Sequence, residues 1–242
     1  MTYCVGIKLN QGLVFASDTR TNAGVDHVAT YRKLFTFTND STHSIVILSS
    51  GNLASTQALI EHLTRIADNA PGGLFSANSL FDIATLVGKK LVSVIHDGYD
   101  NSSHNAINFS CNLILGGQVF GEEPRLFHIY PQGNFIEASV ETPFLQIGEE
   151  KYGKPILDRI IKPETPIDRA LICALLSIDS TMKSNMTVDM PLDILVYHKN
   201  SQDLGNQRRV ERDDADFQAM RKYWGTGLRR IIDELEPCKL KP

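Results

Sequence analysis

The stretch Met1-Thr2-Tyr3-Cys4-Val5-Gly6-Ile7-Lys8-Leu9 decides the fold and raises the first question about chemistry. Apolar and other residues alternate along it, as in a β-strand with two different faces. Removal of Met1 would leave a threonine at the amino terminus, which carries a hydroxyl nucleophile and an amine base in one residue. An α-amino group has a pKa of about 7.7–8.0, so much of it can act as a base at neutral pH. Because a small residue follows Met1 in many ordinary proteins, Thr2 needs support from the rest of the chain.

Two charged residues supply that support. Asp18 ends the second predicted strand, and Lys33 opens the third. A lysine ammonium beside the Thr2 hydroxyl would stabilise a developing alkoxide, and an aspartate would hold that lysine and keep it charged. Considered alone, Asp18 would be interpreted as a solvated acid in a loop, and Lys33 as a lysine on the surface of a strand. Together, in register with Thr2, they indicate nucleophilic catalysis.

This spacing, with the run Val14-Phe15-Ala16-Ser17-Asp18-Thr19-Arg20 and the pair Arg32-Lys33, resembles proteasome-type N-terminal nucleophile hydrolases. It is most similar to the bacterial proteasome homologues called Anbu (ancestral β subunit), and the similarity extends over nearly the whole chain. The resemblance implies a threonine-type peptidase or amidase with Thr2, Asp18 and Lys33 as catalytic residues. It also implies a homo-oligomer, a closed ring or an open spiral, that acts on a peptide or amide substrate without a metal or cofactor.

Further site residues follow from the resemblance. Gly51, in Ser49-Ser50-Gly51-Asn52 between a strand and a helix, matches the family glycine whose N–H binds the oxyanion. Ser184 matches a supporting serine near the end of a later helix. The companion aspartate falls on Thr181, and Asp179 is the nearby substitute. Glu149 stands where proteasome subunits commonly have a serine.

Three other interpretations stay open at this point. The chain could be a catalytically silent scaffold with the proteasome fold, as proteasome α subunits are. It could instead use the same nucleophile to form amides or to act on small amides. The pattern Ser180-x-x-Lys183 also occurs in serine β-lactamases and penicillin-binding proteins, but the chain has no Lys-Thr-Gly and no export signal.

Composition limits the remaining classes. The 242 residues are 42% hydrophobic and 21% charged, and the net charge of -4 gives no basic excess for nucleic acid or an anionic membrane. Four cysteines without a CxxC pair indicate free thiols in a reducing compartment. No signal peptide and no apolar run long enough to span a bilayer are present, so a cytoplasmic location is expected. The seven histidines show no metal-ligand spacing, and no nucleotide-binding motif occurs.

The pattern of elements predicts an α+β fold. Four strands, two helices, four strands, two helices, one strand and a helical tail follow in that order. Layer rules permit several packings of these elements. The resemblance selects a four-layer αββα sandwich, with residues 1–242 as a single domain and 208–242 as a C-terminal helical extension. Residues 18–31 are expected to be a polar loop, and Gly225 and Gly227 are expected to break the tail helix.

Overall fold

The architecture comes from a computed structural model, which describes residues 2–22, 28–39, 42–100, 107–201, 203–204 and 207–236. The first half contains strands β1 (Tyr3–Leu9), β2 (Gly12–Asp18), β3 (Arg20–Asn22), β4 (Val28–Thr30), β5 (Leu34–Asn39) and β6 (His43–Gly51), and helices α1 (Leu53–Arg65) and α2 (Leu80–Asp100). The second half contains strands β7 (Cys111–Val119), β8 (Arg125–Ile129), β9 (Phe135–Glu137), β10 (Phe144–Gly148), β11 (Leu192–His198) and β12 (Gln207–Val210), and helices α3 (Glu150–Ile160), α4 (Ile167–Ser184) and α5 (Ala215–Glu234).

Two five-stranded antiparallel sheets form the middle of the molecule. The first has the strand order β10-β1-β2-β11-β12 and the second β5-β6-β7-β8-β9. Buried side chains from both sheets, such as Phe15 and Ile114, form the core between them. Helices α3 and α4 pack on the outer face of the first sheet, and α1 and α2 pack on the outer face of the second. The result is the four-layer αββα sandwich that the resemblance predicted.

Strand β1 lies inside the first sheet, between β10 and β2. Because successive side chains point to opposite faces, Tyr3 packs under α3 and α4 whereas Cys4 enters the core between the sheets. Both are fully buried. The start of β1 is therefore anchored by two separate cores.

Some local expectations were wrong. The predicted loop over residues 18–31 contains a short antiparallel hairpin, in which β3 pairs with β4. Residues 207–210 form β12, which extends the first sheet beyond β11. Helix α5 runs through Gly225 and Gly227 without a break. The sequence also predicts a polar, turn-rich linker at residues 100–105; Asp100 is instead the last residue of α2, and residues 101–105 lie outside the described residues. Among the helices that the structure describes, none has the length and apolar character needed to cross a membrane.

Candidate active site

Thr2 directly precedes β1 and is held there by the backbone of its neighbours. The Thr2 carbonyl accepts a hydrogen bond of 2.8 Å from the Glu149 N–H. The next residue, Tyr3, donates its own N–H to Asp18 Oδ1 over 3.1 Å. Gly148 has a φ of +92°, and a Cβ on it would lie 1.9 Å from the Thr2 carbonyl oxygen. A glycine is therefore required there, both for its backbone conformation and for the close approach of Thr2.

Lys33 is the centre of the site. Its ammonium donates to Thr2 Oγ1 at 2.7 Å, to Asp18 Oδ1 at 2.8 Å and to the Arg20 carbonyl oxygen at 2.6 Å. A protonated lysine has three N–H donors, so these bonds use all of them. The Thr2 hydroxyl accepts from Lys33, which leaves the hydroxyl proton free to pass to a base. The geometry thus brings Thr2, Asp18 and Lys33 together as the sequence pattern predicted.

Asp18 is fully buried at the end of β2. Burial raises the pKa of its carboxyl above the usual value, and the charge and hydrogen bond of Lys33 oppose that rise. The paired form is favoured because a charge removed from water is tolerated only with a close partner. Lys33, itself only 5% exposed, supplies that partner. The two charges stabilise each other beside the Thr2 hydroxyl.

Gly51 lies at the other edge of the site, where β6 ends. Its φ is +112°, and a Cβ at this position would meet the Ser110 carbonyl oxygen at 2.5 Å. Helix α1 begins two residues later, with Asn52 as its cap: the Asn52 side chain accepts from the Ser55 N–H over 3.0 Å. Backbone N–H groups at such a junction are suited to hold a negative oxygen.

Two clefts meet at Thr2, and Ser50 and Gly51 line both of them. The small cleft has a volume of about 100 Å³ and is completed by Thr21, Arg32, Lys33, Ser49, Leu53 and Thr56. The large cleft has a volume of about 340 Å³ and is completed by Asn112, His128, Ile147, Gly148, Glu149 and Glu150. A substrate bound across Thr2 would therefore contact a different set of side chains on each side.

The two supporting residues expected on α4 face elsewhere. The buried Asp179 accepts a 2.5 Å hydrogen bond from Arg221 Nε of α5. Ser184, the last residue of α4, is exposed. Thr181 donates to the Ser177 carbonyl oxygen within α4. None of these three is among the described residues that line the two clefts.

The structure adds groups that sequence reasoning missed. The Arg20 carbonyl oxygen is the third acceptor of Lys33, and a backbone carbonyl has no side-chain signature in a sequence. The Arg20 side chain in turn binds Asp189 at 3.0 Å, and Asp189 also binds Arg212 at 2.8 Å. Arg212 lies between β12 and α5, so the site is connected through Asp189 to the C-terminal elements. In the sequence, the only signal for these contacts is that Asp189 is opposite in charge to Arg20 and Arg212.

The αββα architecture and the position of Thr2 at the start of a central strand are those of proteasome-type N-terminal nucleophile folds. A model of the proteasome subunit family matches residues 2–194. The chain belongs to the proteasome subunit family and, within it, to the Anbu (ancestral β-subunit) group.

Solved structures support this assignment over the full length. Anbu from Yersinia bercovieri is 48% identical, with a TM-score of 0.93 over 100% of both chains. The helical assembly of the Anbu complex from Pseudomonas aeruginosa is 46% identical, with a TM-score of 0.93 over 98% of both chains. Anbu from Hyphomicrobium sp. strain MC1 is 41% identical, with a TM-score of 0.90 over 99% of this chain and 100% of that one. A search of curated proteins found no match.

Proposed function

We propose that the protein is a threonine-type hydrolase, a peptidase or amidase, whose nucleophile is Thr2 after removal of Met1. The observation that carries this proposal is the 2.7 Å hydrogen bond from the Lys33 ammonium to Thr2 Oγ1 in a buried site. A cation at that distance lowers the energy of the alkoxide-like oxygen that attacks a carbonyl. Asp18 holds the cation in place and balances its charge.

The chemistry follows from these positions. Thr2 Oγ forms a bond to the amide carbonyl carbon, and its proton passes to the freed Thr2 amine directly or through a water. The Gly51 N–H stabilises the oxyanion. Collapse breaks the C–N bond, and the amine returns the proton to the leaving nitrogen. Water then attacks the Thr2 ester, releases the acid and regenerates the hydroxyl.

The first test is the intact mass of the purified native protein before and after treatment with a peptide epoxyketone, an electrophile directed at N-terminal threonine. We expect a mass without Met1 and one covalent adduct. The adduct should be absent in Thr2→Ala with an unchanged circular dichroism spectrum. A retained Met1 together with no adduct would contradict the proposal, since the amine and the hydroxyl could not then cooperate.

A catalytically silent scaffold is the second candidate. The observations that favour it are the commitment of Asp179 to Arg221 and the exposure of Ser184, because neither then supports the nucleophile directly. A third candidate, amide formation, uses the same acyl ester with an amine in place of water. Product analysis with and without added glycinamide separates hydrolysis from amide formation, and absence of both products and adduct favours the scaffold.

The protein is further proposed to act as a homo-oligomer in the cytoplasm, with α5 in the contact between subunits. Four apolar residues, 44% to 67% exposed, recur at helical spacing along the end of α5 and its C-terminal capping residue: Leu228, Ile231, Ile232 and Leu235. A contiguous apolar stripe of this kind marks an interaction surface. The related protein from Pseudomonas aeruginosa is described as a helical assembly, which fits a contact between unlike surfaces that does not close into a ring.

Self-association through this stripe predicts that Ile231→Asp with Ile232→Asp disperses the assembly. Burial of a carboxylate without a partner in an apolar contact costs several kcal/mol, so the subunits should separate. Sedimentation velocity measures the outcome. Val140→Asp, at an apolar position 74% exposed elsewhere on the surface, is the matched control and should leave the assembly intact. An unchanged sedimentation coefficient in the α5 variant would place the contact elsewhere.

A further inference from the structure

The two clefts that meet at Thr2 differ in charge. In the small cleft, the Lys33 charge is balanced by Asp18, and Arg32 is the other charged residue. Arg32 is exposed and makes no ion pair within the part of the chain that the structure describes. The remaining described lining residues of the small cleft are neutral, mostly hydroxyl-bearing side chains. Within the described residues, the small cleft therefore presents one positive charge that no carboxylate pairs.

The large cleft presents the opposite sign. Glu149 and Glu150 line it, and Lys151 is the one described cation near Glu149, at 3.8 Å. That contact is long, and the Lys151 side chain is 71% exposed, so it offsets little of the negative charge. Glu150 has no ion pair among the described residues, because its helical neighbour Lys154 binds Asp158 at 2.6 Å.

His128 does not neutralise these carboxylates. Its Nε2 lies 3.2 Å from Asn112 Oδ1, and its ring stacks against Tyr130 with a centroid distance of 4.3 Å. Burial lowers the pKa of His128 below its usual value, which favours the neutral form of the ring. Burial raises the pKa of Glu150, and the charge of Lys154 opposes that rise. Among the described residues that line the large cleft, Glu149 and Glu150 are the charged ones, so the cleft favours a cation.

Building on the proposed function, we propose that the substrate is an amide with opposite charges on the two sides of the scissile bond. A carboxylate occupies the small cleft beside Arg32, and an ammonium or guanidinium group occupies the large cleft beside Glu149 and Glu150. The volumes of about 100 Å³ and about 340 Å³ leave space in both clefts for substrate groups. Complementary charges select a substrate and its orientation, and the reversed arrangement places like charges together.

The test measures binding, so that it does not depend on turnover. Capped hexapeptides that differ only in the central pair, Glu-Lys, Lys-Glu or the neutral Gln-norleucine, are titrated calorimetrically into full-length Thr2→Ala protein. One of the two oppositely charged peptides should bind about tenfold more tightly than the neutral peptide, as expected for two partly exposed ion pairs that together contribute about 1.4 kcal/mol. The other should bind more weakly than the neutral peptide, because its charges face clefts of like sign.

Variants in the Thr2→Ala background assign each charge to its cleft. Arg32→Gln should remove the gain in affinity that comes from the Glu of the peptide and leave the gain that comes from its Lys. Glu149→Gln with Glu150→Gln should do the reverse. Arg169→Gln and Glu164→Gln, at exposed positions away from the clefts, are the matched controls and should leave the preference unchanged.

The outcomes separate this inference from the proposed function. Equal affinities for all three peptides, or a preference that survives both cleft variants, would overturn the charge assignment even if the epoxyketone adduct forms on Thr2. A charge preference that the cleft variants abolish supports the inference even if the wild-type protein cleaves none of the peptides. In that case the epoxyketone adduct on Thr2 decides the hydrolase proposal: with no adduct that proposal fails, and the clefts bind this class of ligand without cleaving it.

Discussion

The Lys33 ammonium has three N–H groups, and the fold provides one acceptor for each of them: a hydroxyl, a carboxylate and a backbone carbonyl. Water competes little for these hydrogen bonds, because Lys33 and Asp18 are buried. Such a lysine cannot rotate away from Thr2 without losing all three partners. At the residue scale, preorganisation of this one cation is what the structure contributes to the proposed chemistry.

Substitution of Lys33 should separate chemistry from stability. In Lys33→Met the buried Asp18 loses its partner, and we expect the free energy of unfolding to fall by about 3 kcal/mol and adduct formation on Thr2 to stop. The double variant Lys33→Met with Asp18→Asn removes both charges and should recover much of that stability, but no reactivity. Denaturant unfolding and intact mass with epoxyketone measure the two effects. Recovery of the adduct in the double variant would show that the cation is not needed.

Gly148 provides a second test at the residue scale. A methyl group in Gly148→Ala would meet the Thr2 carbonyl oxygen, so Thr2 must move and the adduct should form at least tenfold more slowly, a barrier change of about 1.4 kcal/mol. Gly72→Ala is the control, because Gly72 has a similar φ of +84° but no heavy atom within 4 Å of the added Cβ. Backbone strain should lower the free energy of unfolding of both variants by about 1–2 kcal/mol, and the clash with Thr2 adds a further loss in Gly148→Ala alone. Equal adduct rates in the two would refute the steric explanation.

The candidate site was predictable where it depends on side-chain identity and strand register. Thr2, Asp18 and Lys33 lie at the starts and ends of strands whose apolar alternation is plain in the sequence, and Gly51 lies at a recognisable strand–helix junction. The Arg20 carbonyl was not predictable, since any residue offers the same atom. The partner of Asp179 was not predictable either, because Arg221 is 42 residues away and only the packing of α5 on α4 brings the two together.

Helix α5 shows why local propensity was a poor guide at the scale of an element. Asp214 caps its first turn by accepting from the Phe217 N–H at 2.9 Å, and Phe217 is buried against the core. Arg221 adds the contact with Asp179 one turn later. These tertiary anchors fix the first half of the helix, and the hydrogen-bond ladder then continues through both glycines. A cost of roughly 1 kcal/mol for each glycine is too small to end a helix that is held in this way.

An uninterrupted α5 predicts that alanine stabilises it. Gly225→Ala and Gly227→Ala should each raise the free energy of unfolding by about 0.5–1 kcal/mol, since no heavy atom lies within 4 Å of either added methyl group. Chemical denaturation gives the value. Gly153→Ala in α3 is the opposing control, because its Cβ would meet the Tyr3 hydroxyl and the Ser177 carbonyl oxygen at 2.8 Å and should destabilise the protein. If neither α5 variant is stabilised, the helix breaks at these glycines in solution.

At the scale of the whole molecule, the two sheets are joined by charges as well as by their shared core. Glu137, the last residue of β9, accepts from Arg125 of β8 at 2.6 Å and from Lys8 of β1 at 3.3 Å. Lys8 belongs to the first sheet and the other two residues to the second. The carboxylate therefore bridges the sheets at the surface, at the edge of the buried core.

This bridge predicts a pH-dependent part of the stability. The hydrogen bond from Arg125, with the charges of Arg125 and Lys8, holds the pKa of Glu137 below its usual value, while partial burial opposes that shift. The contribution is thus fully present above the ordinary glutamate pKa and is lost as the pH falls through the lower folded-state value. The free energy of unfolding of the wild type should exceed that of Glu137→Gln by about 1 kcal/mol at pH 7, and this difference should shrink below about pH 4.5. Denaturant unfolding measures both free energies, and a difference between them that does not change with pH would exclude the ionised bridge. Glu164→Gln, at an exposed position, is the control.

The bond from the Tyr3 N–H to Asp18 has a consequence for isotope exchange. This amide hydrogen belongs to a fully buried residue at the start of a central strand, so its exchange requires the start of β1 to open and its bond to Asp18 to break. Its acceptor also binds Lys33, so the deuterium uptake of this single amide records whether Asp18, Lys33 and the start of β1 remain assembled. The exchange rate at Tyr3 would report on the state of the site without any substrate.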